Sequence, residues 1–195
     1  MAASSASPAP HVVHAPAHAA PLKGIASGLL GAHAGAGLRI GIVHTQWNAP
    51  VIDALVAGCL RELHAHGVAR SDIVVEACPG AYELPLAARL LLRSPLHLRD
   101  AHGAKHGLDA VVCIGCLIKG DTMHFEYICE GVTQGIMRLN ADTETPVIFG
   151  VLAVLDEAQA RARAGLEPGS HNHGEEWAQS AIKMALMRRK LLAIF

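Results

Sequence analysis

From Arg39 onwards, short apolar runs alternate with longer segments in which apolar positions recur at helical spacing. This pattern predicts strands at 39–44, 73–78, 109–118 and 147–153, and helices at 48–66, 83–93, 124–140, 156–165 and 174–190. The third strand is apolar almost throughout, which is typical of a strand covered on both faces. The alternation predicts an α/β fold, in which a parallel sheet is flanked by helices and binds ligands beyond the carboxyl ends of its strands.

Residues 1–37 show neither the helical nor the strand periodicity of apolar positions. They are rich in Ala, Pro, His, Ser and Gly, which predicts a disordered tail. Residues 38–195 then form a single domain. Pro, Gly and three histidines in residues 94–107 predict a surface loop. Asn48 and Asp156 are predicted to cap helices, and Gly67 to end one.

Composition narrows the class of protein. The 195 residues carry a formal net charge of −1, without the basic excess of a nucleic-acid binder. No apolar run reaches the roughly 18 residues of a membrane-spanning helix. The five cysteines are odd in number and lie in apolar segments, which favours reduced thiols over disulfides. We therefore expect a soluble, cytoplasmic protein that binds neither nucleic acid nor membrane.

Cys113 and Cys116 form a C-x-x-C motif inside the third predicted strand. Redox pairs of this type sit where a loop opens a helix, because that position lowers a thiol pKa. Residues three apart on a strand point to opposite faces. The motif therefore predicts two core cysteines.

The segment that follows this strand, Gly120-Asp121-Thr122, resembles an anion-binding turn at a helix start. The lysine of a nucleotide-binding P-loop is absent, and the residues alone leave an ordinary turn equally open. His124 comes next and suits proton transfer near neutral pH. A lone histidine is more often structural, and the chain contains thirteen.

Other residues allow two interpretations. Trp47 suits stacking on a flat ring, but locally a core tryptophan before an N-cap asparagine is the simpler interpretation. Glu83 suits either a helix start or the binding of a polyol. Arg161 and Arg163 face different directions, so that one is free to bind an anion. The His171-Asn172-His173 motif lacks a third ligand, and we expect no metal.

The order of these segments carries a resemblance to a known family. Trp47-Asn48, the PGAYELP segment at 79–85 and the GCLIKGDTMHFE segment at 115–126 are similar to the lumazine synthases. Residues 146–152, Gln159-Ala160 and residues 163–165 continue the match. The resemblance spans about 39–190. Within it, the residues at 118–127 and 171–175 are most similar to those of fungal members.

The resemblance implies a three-layer flavodoxin-like fold with a four-stranded parallel sheet. It also implies a transferase of riboflavin biosynthesis, which condenses 5-amino-6-(D-ribitylamino)uracil with 3,4-dihydroxy-2-butanone 4-phosphate. The products are 6,7-dimethyl-8-ribityllumazine, phosphate and water. No electrons enter this reaction, so no cofactor is expected.

The resemblance further implies roles for individual residues, with His124 as the proton-transfer residue. The pyrimidine and ribityl groups would meet Trp47, Asn48, Ala81, Tyr82, Glu83, Leu117, Ile118, Lys119 and Phe149. The phosphate would meet Gly120, Asp121, Thr122 and Arg163. A neighbouring subunit would supply Phe149, Arg163 and His173.

Some positions depart from the common pattern. Trp47 stands where many members have Phe, Lys119 where many have Arg, and His173 where many bacterial members have Lys. Family members form pentamers, some of which build hollow shells. The stretch between Gly165 and Gly174 is longer than in shell-forming members, so we expect a free homopentamer.

Three alternatives compete with this interpretation. A non-catalytic protein that binds flavin or another ribityl ligand would use Trp47 and Glu83 equally well, but it leaves His124 unexplained. A flavodoxin-like electron carrier would need a Ser/Thr-rich loop after the first strand, which residues 45–48 lack. A thiol oxidoreductase is disfavoured by the strand geometry of Cys113 and Cys116. Riboflavin itself is a further expected ligand of the active site.

Overall fold

The computed structural model describes residues 30–94 and 107–192. Strands and helices alternate along the described chain. The strands are β1 (Ile40–Thr45), β2 (Ile73–Cys78), β3 (Ala110–Ile118) and β4 (Val147–Val154). The helices are α1 (Ala49–Ala65), α2 (Leu84–Arg93), α3 (His124–Thr143), α4 (Glu157–Arg163) and α5 (His173–Leu192). Two short 3₁₀ helices, Arg70–Asp72 and Ala81–Glu83, precede β2 and α2.

The four strands form one parallel sheet in the order β2-β1-β3-β4, which confirms the predicted fold class. Every predicted strand and helix is present, with ends that differ by a few residues at most. Strand β1 lies inside the sheet, between β2 and β3. The carboxyl ends of β1 and β3 therefore lie side by side.

A separate apolar core covers each face of the sheet. Ile42 and Val112 pack on one face with α1 and α5, through residues such as Leu55 and Ile182. Val43 and Val111 pack on the other face with α2 and α3, through residues such as Leu84 and Ile136. The sheet is thus the middle of three layers, as parallel sheets require.

Two of the three predicted helix boundary residues act as expected. Asp156 caps α4, because its Oδ1 accepts a hydrogen bond from the Gln159 N–H at 2.8 Å. Gly67 ends α1 in the left-handed region, with φ of 86°. Asn48 precedes α1 but makes no capping hydrogen bond, so that prediction is wrong.

Asp109 fixes the amino-terminal edge of the sheet. Its buried carboxylate accepts hydrogen bonds from the Arg39 backbone N–H at 2.7 Å and from the Arg189 guanidinium at 2.6 and 2.7 Å. The starts of β1 and β3 are thereby tied to the last turn of α5. A buried carboxylate is tolerated because charged and backbone donors surround it.

Asn172 ties three helices together from a position just before α5. Its Nδ2 donates to the carbonyls of Ala54 (2.8 Å) and Ala164 (2.9 Å), and its Oδ1 accepts from the Gly174 N–H (2.9 Å). The side chain is buried against α1, where a Cβ on Gly58 would lie only 2.3 Å from Oδ1. Only glycine at 58 allows this close approach.

Residues 30–37, which were predicted to belong to the tail, contact the domain. Residues 32–37 form turns, and the Gly35 N–H donates to the His66 carbonyl at 2.8 Å. Leu30 and Ala34 pack against the core. The rest of the predicted tail, residues 1–29, lies outside the described residues, as do residues 95–106 of the predicted loop. No helix within 30–94 or 107–192 has the length and apolarity needed to cross a membrane.

We predict that Asn172→Ala destabilises the protein by about 2 kcal/mol, because buried polar partners lose their hydrogen bonds. This corresponds to a fall of about 4–8 °C in the thermal unfolding midpoint, measurable by circular dichroism. Gln134→Ala, at an exposed position of α3, is the control and should leave the midpoint unchanged. Equal midpoints for the two variants would show that the Asn172 contacts contribute nothing.

Candidate active site

A cleft of about 680 Å³ opens at the carboxyl ends of β1 and β3, beneath the first turn of α3. This is the edge at which parallel sheets bind ligands. Residues from four separate segments form its walls. They are Trp47, Asn48, Gly80, Ala81, Tyr82, Glu83, Cys116, Leu117, Ile118, His124 and Ile128.

The turn after β1 brings Trp47 and Asn48 to the cleft. Trp47 is 72% exposed, so the interpretation of a core tryptophan is wrong and one face of the indole is open to a ligand. Asn48 adopts a left-handed conformation, with φ of 59°, and its Nδ2 donates to the Cys116 carbonyl at 3.2 Å. This bond ties the turn to β3 and leaves the Asn48 Oδ1 as an acceptor.

Glu83 is the last residue of the second 3₁₀ helix and lines the cleft. Its Oε2 accepts a hydrogen bond from the Gly80 N–H at 3.0 Å, which holds the carboxylate at the start of α2. Within the described residues, Oε1 has no hydrogen-bond partner. A fixed carboxylate with one open oxygen is suited to accept hydrogen bonds from hydroxyl groups.

The end of β3 supplies the apolar floor of the cleft. Leu117 and Ile118 line it, whereas Lys119 does not. The Lys119 ammonium instead forms an ion pair with Glu126 and lies 5.5 Å from the centroid of the Phe125 ring. Its charge is therefore directed towards α3.

The turn from β3 to α3 carries Gly120, Asp121 and Thr122, all of them exposed. They lie outside the cleft walls but lead directly into His124, which is the first residue of α3 and lines the cleft. The His124 N–H donates to the Thr122 Oγ1 at 3.4 Å. An exposed turn at the start of a long helix presents backbone N–H groups that favour an anion.

Phe149, Arg163 and His173 lie away from the cleft of their own chain. Phe149 is 40% exposed on the edge strand β4, Arg163 ends α4, and His173 begins α5. The Trp177 ring packs against Gly150 of β4 and lies 6.4 Å from the His173 ring. The described structure therefore places Phe149 and His173 near the β4 edge, outside the cleft of their own chain. Both were predicted to act in the cleft of a neighbouring subunit.

The two histidines of the His171-Asn172-His173 motif face carboxylates. The His173 Nδ1 lies 3.0 Å from one oxygen of Glu176, and the His171 Nε2 lies 3.4 Å from the other. The part of the chain that the structure describes holds no group of three residues placed to bind a metal. Both rings of the motif therefore contact Glu176 at the start of α5.

Comparison with known proteins gives the decisive observation. The sequence model of the 6,7-dimethyl-8-ribityllumazine synthases matches residues 37–189. A 6,7-dimethyl-8-ribityllumazine synthase of Pyricularia oryzae is 46% identical over 182 residues, covering 80% of this chain and 91% of the relative. The chain belongs to the lumazine synthase family.

Further relatives extend this result beyond one group of organisms. The lumazine synthase of Schizosaccharomyces pombe is 45% identical over 150 residues, covering 76% of this chain and 87% of the relative. That of Porphyromonas gingivalis is 44% identical over 155 residues, covering 80% and 88%. The predicted resemblance to lumazine synthases is confirmed.

Three residues of the cleft were not predicted from the sequence. Gly80 lies within the PGAYELP segment that identified the family, and Cys116 was interpreted only as a core residue. Ile128 follows His124 by four residues on α3, so it faces the same side of the helix. Helical spacing from His124 was the signal that would have found it.

The two cysteines of the C-x-x-C motif lie in different cores, on opposite faces of the sheet, as predicted. All five cysteines are free. Burial raises the pKa of Cys116 to about 11 and that of Cys113 far above its ordinary value. Both thiols are protonated at neutral pH, so they are poor nucleophiles.

We predict that Cys113 and Cys116 of the folded protein resist iodoacetamide from about pH 7 to 9, since their thiolates form only at higher pH. Mass spectrometry of peptides would measure the labelling of each cysteine. The same protein unfolded in urea serves as the control, in which all five cysteines react. Rapid loss of the Cys116 thiol in the folded protein would contradict the raised pKa.

Proposed function

We propose that the cleft is where this enzyme of riboflavin biosynthesis condenses 5-amino-6-(D-ribitylamino)uracil with 3,4-dihydroxy-2-butanone 4-phosphate. The products are 6,7-dimethyl-8-ribityllumazine, phosphate and water. One observation carries the proposal: Trp47, Glu83 and His124, far apart in sequence, converge on one cleft at the carboxyl edge of the sheet. The alternative of a non-catalytic flavin binder is not favoured, because the relatives are synthases.

In this proposal the pyrimidine ring stacks on the open face of Trp47, above the apolar floor of Leu117 and Ile118. A flat ring on an indole gains both apolar contact and a fixed orientation. The ribityl chain extends towards Ala81, Tyr82 and Glu83. The unpaired Oε1 of Glu83 and the Oδ1 of Asn48 then accept hydrogen bonds from its hydroxyl groups. Residue types and positions in the cleft support this placement.

The phosphate of the second substrate binds the exposed turn at Gly120, Asp121 and Thr122. Backbone N–H groups and the Thr122 hydroxyl are its donors, and the dipole of α3 adds to them. Asp121 contributes its backbone, because its carboxylate would repel the phosphate. This position puts the reacting carbonyl next to both the bound amine and His124.

The reaction needs proton transfers and no electrons. The 5-amino group forms a C–N bond to the ketone carbon, and water leaves. Loss of the proton on the neighbouring hydroxyl-bearing carbon expels phosphate with the electron pair of its C–O bond, and a proton shift converts the resulting enol to a ketone. The ribitylamino nitrogen then adds to this ketone, and a second water leaves as the ring closes. His124 accepts and returns protons in these steps. Placing two substrates together supplies much of the acceleration, and a general acid–base residue adds about 10²–10⁴-fold. We propose no cofactor.

A neighbouring subunit completes the site in this proposal. Arg161 is paired with Glu167 at 2.7 Å, whereas Arg163 has no hydrogen-bond or ion-pair partner in the described part of the chain. An unpaired arginine is suited to grip a substrate phosphate. Phe149 would cover the pyrimidine, and His173 would stand near the phosphate. We propose a free homopentamer in which each cleft receives these three side chains from the next subunit.

Two finer points belong to the same proposal. Riboflavin combines a flat fused ring with a ribityl chain, so it fits the same cleft as a ligand. The protein works in the cytoplasm, because five free thiols suit a reducing compartment.

We predict that the purified protein forms lumazine from both substrates, followed by absorbance and fluorescence. His124→Ala should lower kcat about 100-fold or more without abolishing turnover, because substrate positioning remains. His33→Ala, an exposed histidine at the other end of the sheet, is the control and should keep the full rate. Full activity in His124→Ala would remove the proton-transfer role, and an inactive wild type would remove the proposed reaction.

We predict that Arg163→Ala subunits and His124→Ala subunits, each weakly active alone, recover activity after unfolding and refolding together. By chance about a quarter of the sites then combine a native cleft with a native neighbour. His124→Ala mixed with Glu83→Ala is the control, and it should not recover because both changes lie in the cleft.

Sedimentation of the wild-type protein should give a particle of five chains. A particle of roughly a megadalton would contradict the free pentamer.

A further inference from the structure

The turn between β3 and α3 has few hydrogen bonds of its own. The Lys119 N–H donates to the Val154 carbonyl at 2.9 Å, which fixes the start of the turn against β4. The Tyr127 N–H donates to the Met123 carbonyl at 3.2 Å, which belongs to α3. Between these points the one described bond is the long contact from the His124 N–H to Thr122. The exposed backbone at 120–122 is thus weakly held.

One side-chain contact bridges this turn across its base. The Lys119 ammonium, on the β3 side, donates to Oε1 of Glu126, in the first turn of α3. The same ammonium lies over the Phe125 ring, which restricts the lysine side chain further. The pair joins Lys119, directly before the 120–122 segment, to the first turn of α3, which follows that segment, so it restricts how far the two elements can separate.

The environment of Glu126 indicates that Lys119 sets the position of its carboxylate. Its Oε2 is shielded from water and has no hydrogen-bond partner among the described residues, although the residue as a whole is half-exposed. Buried polar atoms of this kind are uncommon and call for an explanation. The hydrogen bond from Lys119 also holds the pKa of the Glu126 carboxyl below its usual range, so this carboxylate is ionised at neutral pH.

We infer that Lys119 and Glu126 are positioning residues for the phosphate-bearing substrate, because their ion pair holds the 120–122 turn in the conformation that receives the phosphate. The inference depends on the proposed role of that turn. Neither residue lines the cleft in which the pyrimidine is proposed to bind, so we expect the effect of the pair to fall on one of the two substrates. A turn held in its binding conformation loses less conformational entropy when the ligand binds.

The inference is tested by steady-state kinetics in which each substrate is varied separately. Glu126→Gln and Lys119→Met should each raise KM for the butanone phosphate about two- to five-fold, the range expected for an exposed ion pair. KM for the pyrimidine and kcat should stay near wild type. The double variant should be no worse than either single one, since both remove the same contact. Glu130→Gln, an exposed glutamate one turn further along α3, is the matched control.

Two further measurements separate positioning from other roles. The exchanged pair Lys119→Glu with Glu126→Lys should bring KM back towards wild type, because the bridge is restored with opposite polarity. The effect of Glu126→Gln should not change from about pH 7 to 9, since Glu126 stays ionised there. A pH-dependent loss of kcat would instead make Glu126 a proton-transfer group and overturn the inference.

Other outcomes also contradict it. A lower KM for the phosphate substrate in Glu126→Gln would mean that Glu126 withholds Lys119 from the ligand. Equal KM values in Glu126→Gln and Glu130→Gln would mean that the pair has no role. Thr122→Ala tests separately whether the 120–122 turn binds the phosphate. An unchanged KM for the phosphate substrate in this variant would overturn the phosphate site itself, and the role of the pair with it. A raised KM in Thr122→Ala with no effect of Glu126→Gln would overturn the role of the pair alone.

Discussion

Strand β3 is buried on both faces from Ala110 to Cys116 and becomes partly exposed only at Leu117 and Ile118. Neither face of such a strand is available to a ligand, so its chemistry is confined to the carboxyl end. The neighbouring strands hold that end in place: β4 through the pairing of Ile118 with Val154, and the turn after β1 through Asn48. The cleft, the 120–122 turn and the start of α3 all take their positions from this exit point.

Much of the fold could be predicted because burial leaves a periodic record in the sequence. The apolar run of β3 and the helical spacing of α1 and α5 are local patterns. They predicted a parallel sheet flanked by helices, with β3 buried on both faces. The contacts that shape the site are not local. The Asn48 side chain reaches a carbonyl 68 positions away, and no spacing rule predicts such a partner. Trp47 misled local reasoning because a large apolar ring usually gains by burial, whereas here it stays exposed.

The candidate site residues came from motif order rather than from local chemistry. A lone histidine and a Gly-Asp-Thr turn each fit many structures, and only their combination with PGAYELP pointed to one family. The motif could not predict that the Lys119 side chain points towards Glu126, because a motif gives residue positions and not side-chain directions. The three residues assigned to a neighbouring subunit lie outside their own cleft, as such an arrangement requires. Activity would then depend on protein concentration wherever dilution separates the subunits.

Asp109 lies directly before β3, near the middle of the chain. The charged partner of its carboxylate, Arg189, lies in the last turn of α5. During synthesis the first three strands leave the ribosome long before that arginine is made. Until then the carboxylate lacks the guanidinium that donates two of its hydrogen bonds, and burying it without those donors would be costly. The amino-terminal edge of the sheet therefore closes only when nearly the whole chain has been released, which makes this protein sensitive to truncation at its carboxyl terminus.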